Sequence, residues 1–190
     1  PWPSKSIWRG AVLRHGESVG RLMRALYLLS VWIHILAATV WIGGMLFLVL
    51  VVVPWLRKGK RPDAAVFLRE TGTRFRNVGW ICFALLAVTG TFNLWMRGVR
   101  LSDFGRTEWL LSPFGRTVLV KLGAFLAVLL VSAVHDFVVG PRATAAIAAD
   151  PRSSDAQIER RRASVLGRMN VLLALVLVGA GVMLVRGVPW

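Results

Sequence analysis

The stretch "SVWIHILAATVWIGGMLFLVLVVVP", residues 30–54, decides the fold of this chain. It lies inside a run from Ala25 to Leu56 in which no residue carries a formal charge. A bilayer core about 30 Å thick is crossed by a helix of roughly 20 apolar residues, so the run predicts a membrane span. Hydrophobic residues make up 56% of the chain, which exceeds the usual content of water-soluble domains. We therefore expect an integral membrane protein.

Four apolar segments of sufficient length recur along the sequence, near residues 25–54, 77–96, 117–140 and 167–186. They predict an all-α integral membrane four-helix bundle with antiparallel up-down topology. Residues 25–186 are assigned to this transmembrane domain. Residues 1–24 interleave basic residues with apolar side chains such as Trp8 and Val12, a pattern typical of a helix lying in the membrane interface. This N-terminal segment is predicted to be amphipathic and interfacial.

The formal net charge of +15 comes from basic residues in the connections and flanks of the apolar segments. In those positions the basic side chains can meet the anionic headgroups of the lipid bilayer. Nucleic acid is not expected as a partner, because the sequence shows no soluble domain that would present a basic face. The single cysteine, Cys82, excludes both an internal disulfide and a CxxC motif.

Ionisable side chains inside apolar segments cost several kcal/mol unless they are paired or ligated. They occur at His34, at Lys121 and at the adjacent pair His135 and Asp136. The first and third helices run in the same direction, and each is predicted to end at a proline, Pro54 or Pro141. His34 and Lys121 each precede that proline by 20 residues, so both should lie about 30 Å from one membrane face. His135 should lie about 20 Å from the plane of His34, which excludes one haem ligated by both histidines.

The helix face around His34 allows two interpretations. Ala37, Ala38 and Trp41 follow at helical spacing, so small residues would let a partner approach closely. In the first interpretation the face packs against another helix and His34 hydrogen-bonds to it. In the second, a flat cofactor lies against the face and the neutral imidazole ligates haem iron. Lys121 would then meet an anionic group of the ligand, or would simply extend its ammonium to the nearer interface.

Further candidate residues surround these positions. Arg74 and Arg76 could pair with Asp136 or hold a haem propionate or a lipid phosphate, and Asn93 could hydrogen-bond a cofactor edge. Met183 is a candidate soft ligand for a metal, although methionines within spans are mostly packing residues. Successive helical side chains point about 100° apart, so His135 and Asp136 are not expected to hydrogen-bond each other and are predicted to form an interfacial polar pair.

Several stretches resemble the copper-resistance D (CopD) family of bacterial membrane proteins. They are "HILAATVWIGGMLFLVLVVVP", "RFRNVGWICFALLAVTGTFNL", "FGRTVLVKLGAFLAVLLVSAVHDFVVGPR" and "RMNVLLALVLVGAG", which together span about residues 25–186. The resemblance implies copper handling by a helical domain in the bacterial inner membrane. The layout is also similar to HemJ-type protoporphyrinogen oxidases, four-helix haem b proteins with an essential first-helix histidine and a later lysine. That resemblance implies that His34 and Lys121 fill those two places.

Three functions therefore stay open. In the first, the protein binds haem b through His34 and Trp41 with Arg74, Asn93 and Lys121, with Lys121 as the candidate catalytic residue. Electrons would pass to or from a quinone or a protein partner. In the second, copper is taken up or delivered across the membrane through the metal ligands His34, His135 and Met183. In the third, the chain is an accessory subunit of a larger membrane complex or of a homo-oligomer.

Overall fold

The computed structural model describes the backbone of residues 5–58 and 64–187, and the side chains of residues 18–55, 66, 67 and 69–187. The α-helices are α1 (Lys5–Phe47), α2 (Val53–Lys58), α3 (Ala64–Met96), α4 (Thr107–Leu111), α5 (Pro113–Val134), α6 (Gly140–Ala149) and α7 (Ser154–Arg186). π-helical turns at Leu48–Val52 and His135–Val139 join α1 to α2 and α5 to α6, and a 3-10 turn occupies Leu101–Gly105. The side chains that would define an interfacial N-terminal segment lie mostly outside the described residues.

Four helical stretches are long and apolar enough to cross a membrane. They are Ser18–Trp55, Arg69–Met96, Pro113–Ala149 and Ser154–Arg186. Within the described ranges the chain contains no strand, so the predicted all-α membrane bundle of four spans is confirmed. Large apolar side chains such as Leu50, Leu130 and Val185 are exposed on the outside of the bundle. In a membrane this surface faces lipid, where exposure of apolar groups carries no cost.

Contacts between the long helices show that neighbouring spans are antiparallel. On α1, Ser30 hydrogen-bonds to Thr89 near the end of α3, whereas Gly44 meets Phe75 near its beginning. A Cβ on Gly44 would lie 2.5 Å from the Phe75 ring, so glycine is required for this close approach. The same order reversal relates α5 to α7. Lys121 near the start of α5 lies against Gly181 near the end of α7, whereas near the end of α5 the Ser132 hydroxyl accepts a buried hydrogen bond of 3.0 Å from the Asn170 amide.

The apolar core draws residues from all four spans and lies between two polar layers. Trp41 is only 4% exposed and packs edge-on against Phe83, with 5.1 Å between ring centroids. Phe83 in turn contacts Phe125 on α5 at 6.3 Å. Aromatic pairs of this kind contribute about 0.5–1.5 kcal/mol beyond their buried area. Small residues such as Ala174 on α7 are fully enclosed here, which lets the helices approach closely.

The prediction that the first and third helices end at prolines is wrong. Pro54 lies inside α2 and Pro141 lies inside α6, and each follows a π-helical turn that begins six residues earlier. A proline lacks an amide hydrogen, and its ring clashes with the carbonyl four residues before it. The wider turn relieves this conflict, because Val53 N–H bonds to Leu48 O, five residues back. Gly140 N–H bonds to His135 O in the same way, so both helices continue beyond their prolines.

Capping residues define where the later spans begin. The Ser112 hydroxyl accepts from Gly115 N–H at 3.0 Å, and Pro113 occupies the first turn of α5, as expected for a helix start. At the start of α7 the cap is Ser153, whose hydroxyl accepts from Ala156 N–H at 3.1 Å. These caps satisfy amide groups that have no partner within the helix.

Candidate functional site

The His34 imidazole lies on α1 in contact with α3, in the polar layer on one side of the core. Its Nδ1 atom is 2.8 Å from Thr89 Oγ1. The ring lies against Gly90, where an added Cβ would come within 3.4 Å of His34 Cε1. The backbone carbonyl of Thr89 also accepts from the buried Ser30 hydroxyl at 3.5 Å. His34 is therefore held on one side by α3, as the helix-packing interpretation required.

The hydrogen bonds of Thr89 fix the protonation of the neutral His34 ring. Thr89 has one hydroxyl hydrogen, and it is donated to Leu85 O at 2.6 Å. Thr89 Oγ1 can therefore only accept from His34, so the hydrogen of the neutral ring resides on Nδ1. Nε2 then carries a free lone pair. In metal proteins, a hydrogen bond from the other ring nitrogen orients a ligating histidine in the same manner.

Lys121 on α5 lies in the same layer as His34. Its Nζ would be 3.5 Å from a Cβ added to Gly181 on α7, so the ammonium rests against the backbone of that helix. The Lys121 ammonium interacts electrostatically with the His34 imidazole. Arg97 interacts electrostatically with Lys121 in turn. Lys121 lies eight residues into α5, or about 12 Å from the start of that helix. Thr89, the partner of His34, lies about 12 Å from Arg97 at the end of α3, so Lys121 and Thr89 lie at a similar depth in the bundle. The structure thus brings His34 and Lys121 together.

Arg97 follows the end of α3 and completes a cationic group at this end of the bundle. It donates to Leu184 O at 2.8 Å and lies 3.5 Å from the Tyr27 hydroxyl. In the described part of the chain, neither Lys121 nor Arg97 has a carboxylate within 4.0 Å. Two cations without a counter-ion can accept an anionic ligand.

Asn93 adds an unsatisfied acceptor to α3. It lies one helical turn beyond Thr89 and Gly90, and its Oδ1 atom is buried without a hydrogen-bond partner among the described residues. A buried unpaired carbonyl costs about 1–3 kcal/mol, so a ligand that supplies a donor would recover that loss. We call His34, Thr89, Asn93, Lys121 and Arg97 the upper polar layer.

Two other candidate residues, Trp41 and Arg74, lie outside the upper polar layer. Trp41 belongs to the apolar core. Arg74 is exposed near the opposite end of α3. Met183 lies on α7 two residues beyond Gly181, and so at the opposite end of the bundle from His135. The three predicted metal ligands His34, His135 and Met183 are therefore not assembled around one point.

The prediction that His135 and Asp136 do not hydrogen-bond each other is wrong. His135 Nδ1 is 3.0 Å from Asp136 Oδ1, because both residues lie in the π-helical turn, where successive side chains diverge less than in an α-helix. Asp136 Oδ2 also accepts from Trp80 Nε1 at 3.1 Å. Arg76, rather than Arg74, approaches this cluster and lies 3.5 Å from the Asp136 backbone carbonyl. These four residues form the lower polar layer.

The two polar layers are separated along the bundle. Thr89, which contacts His34, and Trp80, which contacts the His135 turn, lie nine residues apart on α3, or about 14 Å. This agrees with the expectation that the two histidines cannot ligate one iron. Within the part of the chain that the structure describes, no group of three or more His, Cys, Asp or Glu side chains could hold a metal ion.

Sequence reasoning missed the roles of Thr89 and Arg97. Thr89 lies in the stretch "AVTGTFN", residues 87–93, whose small residues indicate close helix packing, and only its bond to Leu85 identifies it as an acceptor for His34. Arg97 follows Trp95 and Met96 at the end of a span, where an arginine usually indicates the interface. Its position directly after a span that carries Asn93 is the available signal.

Comparison with known proteins assigns the chain to a family. Residues 69–184 match the copper resistance protein D family. The chain belongs to that family. An uncharacterized protein of Aquifex aeolicus (strain VF5) is 32% identical over 155 residues, which cover 81% of this chain and 92% of the relative. No solved structure matches the chain significantly.

Membership in the copper resistance protein D family agrees with the four apolar spans. Together they make the chain a multi-pass membrane protein related to copper resistance. The family match includes Thr89, Lys121 and the His135–Asp136 pair, and it begins after His34.

Proposed function

We propose that this protein binds haem b at the upper polar layer, with His34 as an axial ligand, and carries electrons within the bacterial cytoplasmic membrane. The observation that carries the proposal is the hydrogen bond between His34 Nδ1 and Thr89, which leaves Nε2 free to ligate. A bound haem would supply one-electron chemistry, with a potential set by its axial ligand and its burial.

The donor set of the upper polar layer fits a haem. Besides the free Nε2 of His34, the layer provides the cations of Lys121 and Arg97, which have no carboxylate partner in the described residues. These two residues would hold the propionate groups through charge-assisted hydrogen bonds. Gly90 and Gly181 have no side chain, which lets the His34 ring and the Lys121 ammonium lie directly against the backbones of α3 and α7. Asn93 Oδ1 does not add to this fit, because a haem with ionised propionates offers no hydrogen-bond donor.

The protein's own residues would also tune the site. Thr89 holds the imidazole in one orientation and keeps the proton on Nδ1, which makes Nε2 a better base. Lys121 and Arg97 place positive charge near the ligand, and nearby positive charge favours the electron-rich state of a redox centre. The electron partner proposed is a quinone or a membrane protein.

The absorption spectrum of the purified protein tests this proposal. A reducible Soret band with stoichiometric haem b is expected for the unmodified chain. His34→Ala should remove most of the haem, whereas His135→Ala, a histidine change in the other layer, should leave it in place. Equal haem retention in the two variants, or no haem in protein from haem-sufficient cells, would reject the proposal.

A second candidate function, copper uptake or delivery, is favoured by one observation in the lower polar layer. His135 donates its Nδ1 proton to Asp136, so its Nε2 is free, and the side chain is 37% exposed. A histidine oriented by a carboxylate is a common metal ligand. By contrast, the cation Lys121 near His34 disfavours a copper ion in the upper layer.

Metal analysis separates the two candidates. If copper is the cargo, the purified protein should bind it in a manner lost in His135→Ala and retained in His34→Ala. The haem proposal predicts instead that haem is lost in His34→Ala and retained in His135→Ala. Copper binding that is unchanged in both variants would reject the copper assignment.

A further inference from the structure

A basic cavity lies on α7 at the end of the bundle that also holds the lower polar layer. Its volume is about 290 Å³, and it is lined by Arg160, Arg161, Ser164, Val165 and Arg168. These residues share one face of α7, since they recur at offsets of one, four, five and eight residues from the first. They lie where the helix passes from its charged N-terminal half into its apolar half.

The three arginines of this cavity carry charge that the described residues do not neutralise. None of them has a carboxylate within 4.0 Å in the described ranges. Arg168 is oriented by a hydrogen bond of 3.2 Å to the Ser164 hydroxyl. The neighbouring Arg162 differs, because it pairs with Glu159 at 2.5 Å. Several guanidinium groups around one cavity form a site for a phosphate group, which arginine binds through two parallel hydrogen bonds.

An exposed apolar stripe continues from the cavity along the same helix. Val165, in the cavity wall, is 44% exposed. Met169, Leu172 and Val176 follow at spacings of four, three and four residues, and Leu172 is 63% exposed. At 1.5 Å per residue the stripe runs about 16 Å into the apolar half of α7. A molecule seated in the cavity could therefore lay a hydrocarbon chain along this stripe.

We propose that this face of α7 is a binding site for an anionic phospholipid. The phosphate occupies the cavity between Arg160, Arg161 and Arg168, and an acyl chain lies along the stripe from Val165 to Val176. Charge complementarity selects the headgroup, because a zwitterionic lipid offers these three cations no net negative charge. The apolar stripe selects a lipid over a free phosphate ion, which has nothing to bury there. This inference does not depend on the proposed haem site, which lies in the other layer.

Native mass spectrometry of the detergent-purified full chain tests the proposal, with phosphatidylglycerol and phosphatidylcholine as probes. The triple variant Arg160→Gln, Arg161→Gln, Arg168→Gln should lose phosphatidylglycerol affinity by at least about tenfold. Arg162→Gln is the matched control, since it also removes one charge from this helix turn but changes an arginine already paired. It should bind the lipid as the unmodified chain does.

Glycerol 3-phosphate distinguishes the lipid from a soluble phosphate. The unmodified chain should bind phosphatidylglycerol, whereas glycerol 3-phosphate should neither bind detectably nor compete. Equal binding of the two probes would overturn the lipid assignment. Equal phosphatidylglycerol binding by the triple variant and Arg162→Gln would overturn the site, provided that both variants keep the thermal midpoint of the unmodified chain.

Discussion

Replacing Thr89 by valine tests the interaction that orients His34. Valine keeps the shape of threonine but removes the oxygen that accepts the Nδ1 proton at 2.8 Å. The imidazole N–H is then left partly buried in the upper polar layer without an acceptor, which costs about 1–3 kcal/mol. Interhelical hydrogen bonds inside membranes contribute less on average, about 0.6 kcal/mol. We expect Thr89→Val to lower the free energy of unfolding by about 1–2 kcal/mol.

Thr91→Val is a matched control on the same helix. Its hydroxyl makes the same kind of bond, to Ala87 O at 2.9 Å, but the residue is exposed and, among the described residues, has no hydrogen bond to another helix. An exposed substitution of this kind should change stability by less than about 0.5 kcal/mol. Thr89→Ser retains the hydroxyl and should behave nearly as the unmodified chain does.

Equilibrium unfolding of the three variants in mixed micelles, by titration with a denaturing detergent, provides the free energies. Nitrogen-15 NMR of labelled histidine provides a second observable, because the protonated and unprotonated ring nitrogens differ widely in chemical shift. The unmodified chain should show the proton of His34 on Nδ1. If Thr89→Val were no less stable than Thr91→Val, and the tautomer of His34 were unchanged, the reasoning about Thr89 would be refuted.

Three further predictions concern packing and charge. Gly115→Ala should lower the thermal midpoint, because its Cβ would overlap a backbone carbonyl oxygen of α4. Gly123→Ala adds a methyl group in open space and should leave the midpoint unchanged. Similar midpoints for the two variants in a thermal-shift assay would contradict this. Lys121→Met should speed haem transfer to apomyoglobin by about tenfold or more through loss of a charge-assisted hydrogen bond, and an unchanged rate would count against a propionate partner. Asp136→Ala should cost about 1–3 kcal/mol in detergent unfolding, since Trp80 Nε1–H loses its acceptor, and an unaffected midpoint would show that this bond is not stabilising.

The overall architecture could be predicted from sequence because it depends on composition over long windows. The charge-free run from Ala25 to Leu56 predicts a membrane span independently of the surrounding sequence, and three similar apolar runs predict the remaining spans. The proline positions misled for a local reason. A proline removes one backbone hydrogen bond, and a single π-helical turn before Pro54 or Pro141 accommodates it without ending the helix. No sequence pattern predicts these turns.

The candidate site was predictable only in part. The depth of His34 and Lys121 followed from residue counts along two parallel helices, and the structure brings them into one layer. The residues that contact His34 and Lys121 could not be predicted, because the spacing of residues along one helix does not determine which residues of another helix they contact. Thr89 is recognisable as an acceptor only from its bond to Leu85, and the pairing of His135 with Asp136 depends on the π-helical turn.

Imidazole complementation tests the central claim most directly, namely that the free Nε2 of His34 is a ligand for haem iron. The measurement is the Soret spectrum of His34→Gly purified with haem, before and after addition of imidazole. We predict little bound haem without imidazole and recovery of the spectrum of the unmodified chain when imidazole occupies the vacated space. Full haem binding by His34→Gly in the absence of imidazole would contradict the claim.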